Sequence, residues 1–200
     1  MTGFGVPKLK PTLPTMPSGG VTVTPNANRF SNALKYVLVN EGPYSDDPRD
    51  PGGATQFGII LTEYQSFLHR DLTPEDVKNM PLSTAQAIYQ RNFWGPIQGD
   101  AYSSDAVATA IFDTAVNKGL GGCKVVLADA LNVTFQGEAW VYGPDLLAAV
   151  NALGPKDFIN AFEPAVERYI SARIAKYPNV ACFERGWVNR AQRLFTLVQS

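Results

Sequence analysis

Apolar residues recur at helical spacing along most of this chain, and nowhere do they alternate in twos over a sustained stretch. In RFSNALKYVLVNEG, Phe30, Ala33, Leu34, Val37 and Leu38 share one face, and Gly42 with Pro43 ends the run. Glu41 therefore falls at the C-terminal end of a helix. Asp46 to Thr55 reads as loop, punctuated by Pro48, Pro51 and Gly52-Gly53. QFGII is a short extended piece. Thr62 is placed to cap a helix through about Arg70, and Thr73-Pro74-Glu75 opens another with a cap and a proline. Ser83 with Gln86 reads as a capping box before TAQAIYQRNFW. SDAVATAIFDTAVNKG is apolar over most of its surface, which predicts a buried central helix closed by Gly119. Further helices are predicted at about 121–132, 144–153, 155–176 and 184–198, with Pro164 set to kink or divide the third. The predicted class is mainly α, with one small hairpin near the acidic loop.

Residues 1–28 break this pattern. Five prolines, Gly19-Gly20 and several threonines leave too little apolar content for a core, and they exclude a helix. This segment is read as an extended arm, followed by a core at 29–135 and a helical segment at 136–200 packed on it. With 200 residues, 45% hydrophobic and 11% aromatic, the chain can bury a substantial core. Its net charge of −1 offers no basic field for nucleic acid. No apolar run approaches the ~20 residues of a membrane helix. The proline-broken N-terminus lacks the apolar stretch of a secretory signal. His69 is the single histidine, and Cys123 and Cys182 lie far apart, so no metal site or cofactor is expected, and both thiols are read as reduced and buried.

The charge distribution is uneven. No acid precedes Glu41, yet Glu41, Asp46, Asp47 and Asp50 then follow within ten positions. A carboxylate at a helix C-terminus meets the negative end of the macrodipole, which disfavours its charged form. Tyr44 and Phe57 are near enough in sequence to desolvate it. Stability alone would favour Lys or Arg there, and such local violations concentrate at functional sites. A Pro- and Gly-rich loop can hold Asp47 or Asp50 across a cleft from Glu41, with Thr55 orienting a water. That is the arrangement glycoside hydrolysis requires: a proton donor on one side, an anion or activated water on the other. A solvated acidic turn has the same composition.

The stretch EGPYSDDPRDPGGATQFGI resembles the signature of glycoside hydrolase family 108, written EGGY followed by DPxDPGGxTxxGI. YQRNFWGPI, FDTAVNKG, YGPDLLAAVNAL and FERGWVNRAQRL resemble further blocks of that family and of the adjoining predicted peptidoglycan-binding segment, in the same order, covering about residues 29–195. The resemblance implies a lysozyme-like, mainly α fold with a hairpin or loop near the catalytic glutamate. It implies N-acetylmuramidase activity on the β-1,4 bond between N-acetylmuramic acid and N-acetylglucosamine. The family's catalytic glutamate corresponds to Glu41, and the spacing to Asp50 and Thr55 is similar to the Glu–Asp–Thr set of phage lysozymes, one residue shorter between Asp and Thr. Two departures stand out. Pro43 replaces the second glycine of EGGY, and Leu146 stands where threonine usually follows Gly-Pro.

Other candidates follow from position. Asp113 and Asn117 share one helical face and are candidates to hold sugar amides. Tyr44 is the first choice among aromatics for stacking on a sugar ring, ahead of Phe57 and Trp94. Trp187 and Arg190 are read as fixing the terminal helix to the body. A wall amidase using Cys123 at a helix N-terminus and His69 is the competing enzyme class. The expected partners are bacterial peptidoglycan and, through residues 1–28, phage tail or baseplate proteins, which makes the chain a virion-associated lysozyme for host entry. Its expected location is the virion, or the host cytoplasm before release to the periplasm. A free endolysin and a non-catalytic virion or wall-binding module are the alternatives.

Overall fold

A computed structural model describes residues 28–46, 52–133 and 142–199. The order is α1 (Arg29–Glu41), a hairpin of β1 (Thr55–Gln56) and β2 (Ile59–Ile60), α2 (Leu61–Leu68), α3 (Pro74–Lys78), α4 (Leu82–Tyr89), α5 (Asp105–Ala130), α6 (Pro144–Ala152), α7 (Pro155–Lys176) and α8 (Glu184–Gln199). A π turn at Gln90–Trp94 continues α4, and 3₁₀ turns cover Gly99–Ala101 and Pro178–Phe183. The strands pair antiparallel, Thr55 with Ile60 and Gln56 with Ile59. Helix dominates, as the periodicity predicted. The N-terminal arm, the loop at 47–51 and the segment boundary near 135 lie outside the described residues.

Helix α5 is the axis of the fold. Val107 to Ala115 is buried without a break, and α1, α7 and α8 pack around it. Its N-terminus is capped by the Ser104 hydroxyl, which accepts from the Val107 N–H. Under the hairpin lies an aromatic cluster: Trp94 meets Phe112 edge-on at 5.3 Å and Phe30 at 5.5 Å, and Tyr89 meets Phe112 at 6.2 Å. Trp94 is buried there, so it is a core residue rather than a sugar platform. Gly99 allows this, because a Cβ at that position would fall 2.3 Å from the indole ring.

The far end of α1 is anchored by a buried charge. Arg29 Nε donates to Asp105 Oδ1 at 2.5 Å, and Nη1 donates to the Tyr102 and Asp100 carbonyls at 2.6 and 3.0 Å. With that end fixed to the start of α5, the thirteen residues of α1 set where Glu41 emerges.

Several boundaries differ from the sequence reading. Helix α4 starts at Leu82 with Pro81 as its N-cap, so Ser83 lies inside the first turn and makes no cap bond. Helix α2 likewise starts after Ile60, which leaves Thr62 inside it. Pro164 does not divide α7, which runs continuously from Pro155 to Lys176. One lost N–H is outweighed by the buried face of Phe158, Ile159, Phe162, Ala165, Val166 and Ile170 around it. Gly119 does break α5: its φ of 72° and ψ of 162° interrupt the helical backbone between two halves.

The capping box of α3 gives a test of local energetics. Thr73 Oγ1 accepts from the Asp76 N–H at 3.3 Å, and Asp76 Oδ2 accepts from the Thr73 N–H at 2.8 Å. Thr73→Ala is expected to destabilise the protein by about 1 kcal/mol, read as a fall in Tm of roughly 2–4 °C, with hydrolytic activity below the transition unchanged.

Candidate active site

Glu41 is the last residue of α1, and Gly42, at φ 78°, turns the chain away. Ser45 then pairs with Thr55 through two backbone hydrogen bonds of 3.0 and 2.8 Å, which bring the hairpin back beside the helix end. The hairpin turn is Phe57-Gly58, with φ of 53° and 74°. Two positive φ values give the type I′ twist that suits a two-residue hairpin, at the expense of strain in Phe57. Tyr89 holds that strained residue, its hydroxyl donating to the Phe57 carbonyl at 2.8 Å. Burial, then the Glu41 charge, push the Tyr89 phenol far above its ordinary value, so it remains a donor.

Gly58 faces the carboxyl of Glu41. A Cβ there would lie 2.6 Å from Glu41 Oε2 and 2.8 Å from the Tyr89 hydroxyl. Glycine thus meets two demands at once, a positive φ and a close approach.

The other side of Glu41 is closed by α8. Arg190 Nη1 sits 2.8 Å from Glu41 Oε1, an ion pair whose N–H is poorly aimed at that oxygen. The same guanidinium grips Asp113 on α5: Nε reaches Oδ1 and Oδ2 at 3.0 and 3.2 Å, and Nη2 reaches Oδ1 at 2.8 Å. Burial pushes the Asp113 carboxyl up and the guanidinium opposes this; the two-point fork is the geometry of a carboxylate. Burial also disfavours the Arg190 cation, but Asp113 and Glu41 more than offset it, and Arg190 is raised. One turn along α8, Arg193 donates to Asn40 Oδ1 at 2.8 Å, fixing the residue before Glu41. Glu41 keeps 18% of its side chain exposed, against 4% for Asp113. Only Glu41 of this pair is open to a ligand.

The remaining predicted residues are placed as follows. Thr55 stands in the bridge to Ser45, its hydroxyl donating to the Gly53 carbonyl at 3.0 Å. Tyr44 is partly exposed, its hydroxyl 3.4 Å from Asp46 Oδ2, and burial and that acid raise its phenol. Pro43 is exposed in the bend. Asp50 lies outside the described residues. Asp113, expected to meet sugar amides, is buried and held by Arg190. Asn117 lies one turn further and accepts from Lys118 Nζ at 3.0 Å. The Cys–His alternative is overturned. Cys123 is fully buried within α5, and that burial pushes its thiol up to about 12 instead of down. His69 is exposed at the end of α2. Both cysteines are free, but Cys182 is exposed rather than buried. Among the described residues no cluster of three His, Cys, Asp or Glu could hold a metal ion, and no helix is long and apolar enough to cross a membrane.

A cavity of about 240 Å³ adjoins the arginine pair, lined by Asn117, Lys118, Tyr169, Ile170, Arg173 and Trp187. Burial lowers Lys118 to about 8.

Residues 34–119 match the family model described as glycosyl hydrolase 108. The chain is also similar to a solved structure of Brucella abortus SagA, with 29% identity, a TM-score of 0.70, and 85% of this chain and 93% of that chain covered. The likeness to the glycosyl hydrolase 108 family model thus spans somewhat under half of the chain. No curated protein matches it. It is a glycoside hydrolase with a lysozyme-like, mainly α fold. The matched segment contains Glu41, the hairpin, Tyr89 and Asp113, but stops before Arg190. Sequence reading missed Gly58, Tyr89 and the pairing of Arg190 with Glu41. An Arg in an otherwise apolar helix face, beside Ala191 and Leu194, was the available signal for the last.

Gly58→Ala is expected to cut hydrolysis at least about tenfold, because the new methyl displaces the Glu41 carboxyl. Gly53→Ala, at φ 64° with open space around its Cα, carries backbone strain alone and is expected to lower Tm with much less effect on kcat. Equal loss of kcat in the two variants, both assayed folded, contradicts this.

Proposed function

We propose that the protein is a peptidoglycan hydrolase, an N-acetylmuramidase in which Glu41 is the general acid. Glu41 gives its proton to the glycosidic oxygen as the bond from the anomeric carbon of N-acetylmuramic acid to that oxygen breaks. An anion or an activated water attacks from the opposite face. The observation that carries this reading is one partly exposed carboxyl, inside the family segment, held in place by a helix end, a glycine turn and a guanidinium. Asp50 is the proposed counter-charge, Thr55 the proposed water-orienting group and Tyr44 the proposed sugar platform, with Asn117 further along the cleft.

Arg190 is proposed as a positioning residue. Its charge is shared between two carboxylates, so it orients Glu41 without presenting a full uncompensated cation to it. As the finer placement, we propose an enzyme attached to a phage tail or baseplate through residues 1–28, with a free endolysin as the other placement.

Glu41→Gln is expected to abolish release of muropeptides from purified peptidoglycan, with the melting curve little changed. Full activity in that variant contradicts the assignment.

Arg190→Gln is expected to lower kcat on peptidoglycan at least about tenfold, because the Glu41 carboxyl loses the guanidinium that holds it. Asp113→Asn leaves Arg190 beside Glu41 and is expected to lower Tm more than kcat. Equal loss of kcat in the two variants, both assayed folded, contradicts a positioning role for Arg190.

A further inference from the structure

We propose that the cavity between α5, α7 and α8 is a carboxylate subsite that takes the peptide stem of the wall polymer beside the glycan strand held at Glu41. The proposal rests on the peptidoglycan reading above and extends it from the sugar chain to its peptide substituent.

Among the described residues, two cations line the cavity, Lys118 from α5 and Arg173 from α7, and no acidic side chain does. Lys118 is half-buried; its ammonium donates to Asn117 Oδ1 and stands 5.8 Å over the Tyr169 ring, with no carboxylate hydrogen-bonded to it among the described residues. The acid whose charge it feels, Asp113, is gripped by Arg190. A half-buried ammonium that only shares a counter-charge is incompletely compensated. Such an arrangement is what an anionic ligand would complete.

The wall of the cavity is built rather than incidental. A Cβ at Gly122 would lie 2.6 Å from the Tyr169 hydroxyl and 2.9 Å from Lys118 Cβ, so glycine there lets the tyrosine ring sit against α5 beside the lysine. Trp187 and Ile170 add apolar surface. The volume, about 240 Å³, is below the ~300 Å³ at which sites for whole drug-sized ligands begin, and suits the end of a chain.

Its position fits the glycan reading. Lys118 is five residues beyond Asp113 on α5, about 7.5 Å along the axis. Trp187 is three residues before Arg190 on α8, about 4.5 Å. A second depression, lined in part by Asp113, Asn117, Lys118, Trp187 and Arg190, connects the two places. In the intact wall the glycan strand itself is uncharged, because each lactyl carboxyl is amide-bonded to its peptide. The peptide on each muramic acid brings free carboxylates, at a short distance to the side of the strand.

Two measurements test this with the full chain. In the first, protein carrying Glu41→Gln is titrated with stem peptides released from the wall by an amidase, and the indole N–H resonance of Trp187 is followed. A saturable shift is expected, lost or weakened at least about tenfold in Lys118→Met. No response at Trp187, or the same response in Lys118→Met, overturns the subsite. In the second, the active enzyme is assayed on intact peptidoglycan and on the same glycan stripped of peptide, with its freed lactyl carboxyls converted to amides. Lys118→Met and Arg173→Met are expected to raise KM on the intact wall alone, with kcat unchanged. Equal effects on both substrates overturn the proposal. If the unaltered enzyme cleaves neither substrate, the muramidase reading fails instead, and the peptide titration still decides the subsite.

Discussion

One guanidinium lies between two carboxylates in this protein, and the geometry of the site depends on it. Asp113 sits inside the core and makes a two-point contact with Arg190; Glu41 sits at the edge and touches the same group. A buried acid stripped of its partner is typically destabilising by about 3–5 kcal/mol. The pair therefore constrains more than the active site. It ties the central helix to the last helix of the chain, and through Arg193 and Asn40 it also fixes the end of the first. The family segment ends far short of Arg190, so sequence similarity and the physical unit have different borders.

The local side of the site is built by different means. A strained two-residue turn brings a glycine against the acid, and a buried tyrosine holds the strained carbonyl. The YQRNFWGPI block now has a physical account. Tyr89 secures the hairpin, Asn92 donates to Glu63 on α2, Arg91 lies over the Phe67 ring, and Trp94 fills the core below. Most of that block's work is to keep a short, weak hairpin in register, because two strands of two residues have little stability of their own.

Helix periods were legible in the sequence because each buried face repeats every three or four residues, as Phe158, Phe162 and Val166 show. The position of Glu41 was legible for the same reason: a run of apolar residues stops at Gly42-Pro43. Helix starts were less legible. Ser83 and Thr62 have the right chemistry for caps, but Pro81 and the hairpin decide where those helices begin. Cys123 was expected to be buried and is, but the same expectation failed for Cys182, which is exposed, because burial depends on which distant helices cover a position. Arg190 was legible as a buried anchor, but its partners were not, because nothing in a linear sequence marks a contact with Asp113 or Glu41.

That long-range contact also orders events in time. The acid, its loop and its hairpin lie within about twenty residues and can meet early, whereas closing Arg190 onto them joins positions near opposite ends of the described chain, a slow and entropically costly step. A half-folded chain holds every residue of the acidic motif and still lacks the arginine that touches Glu41, so the site is complete only when α8 has docked.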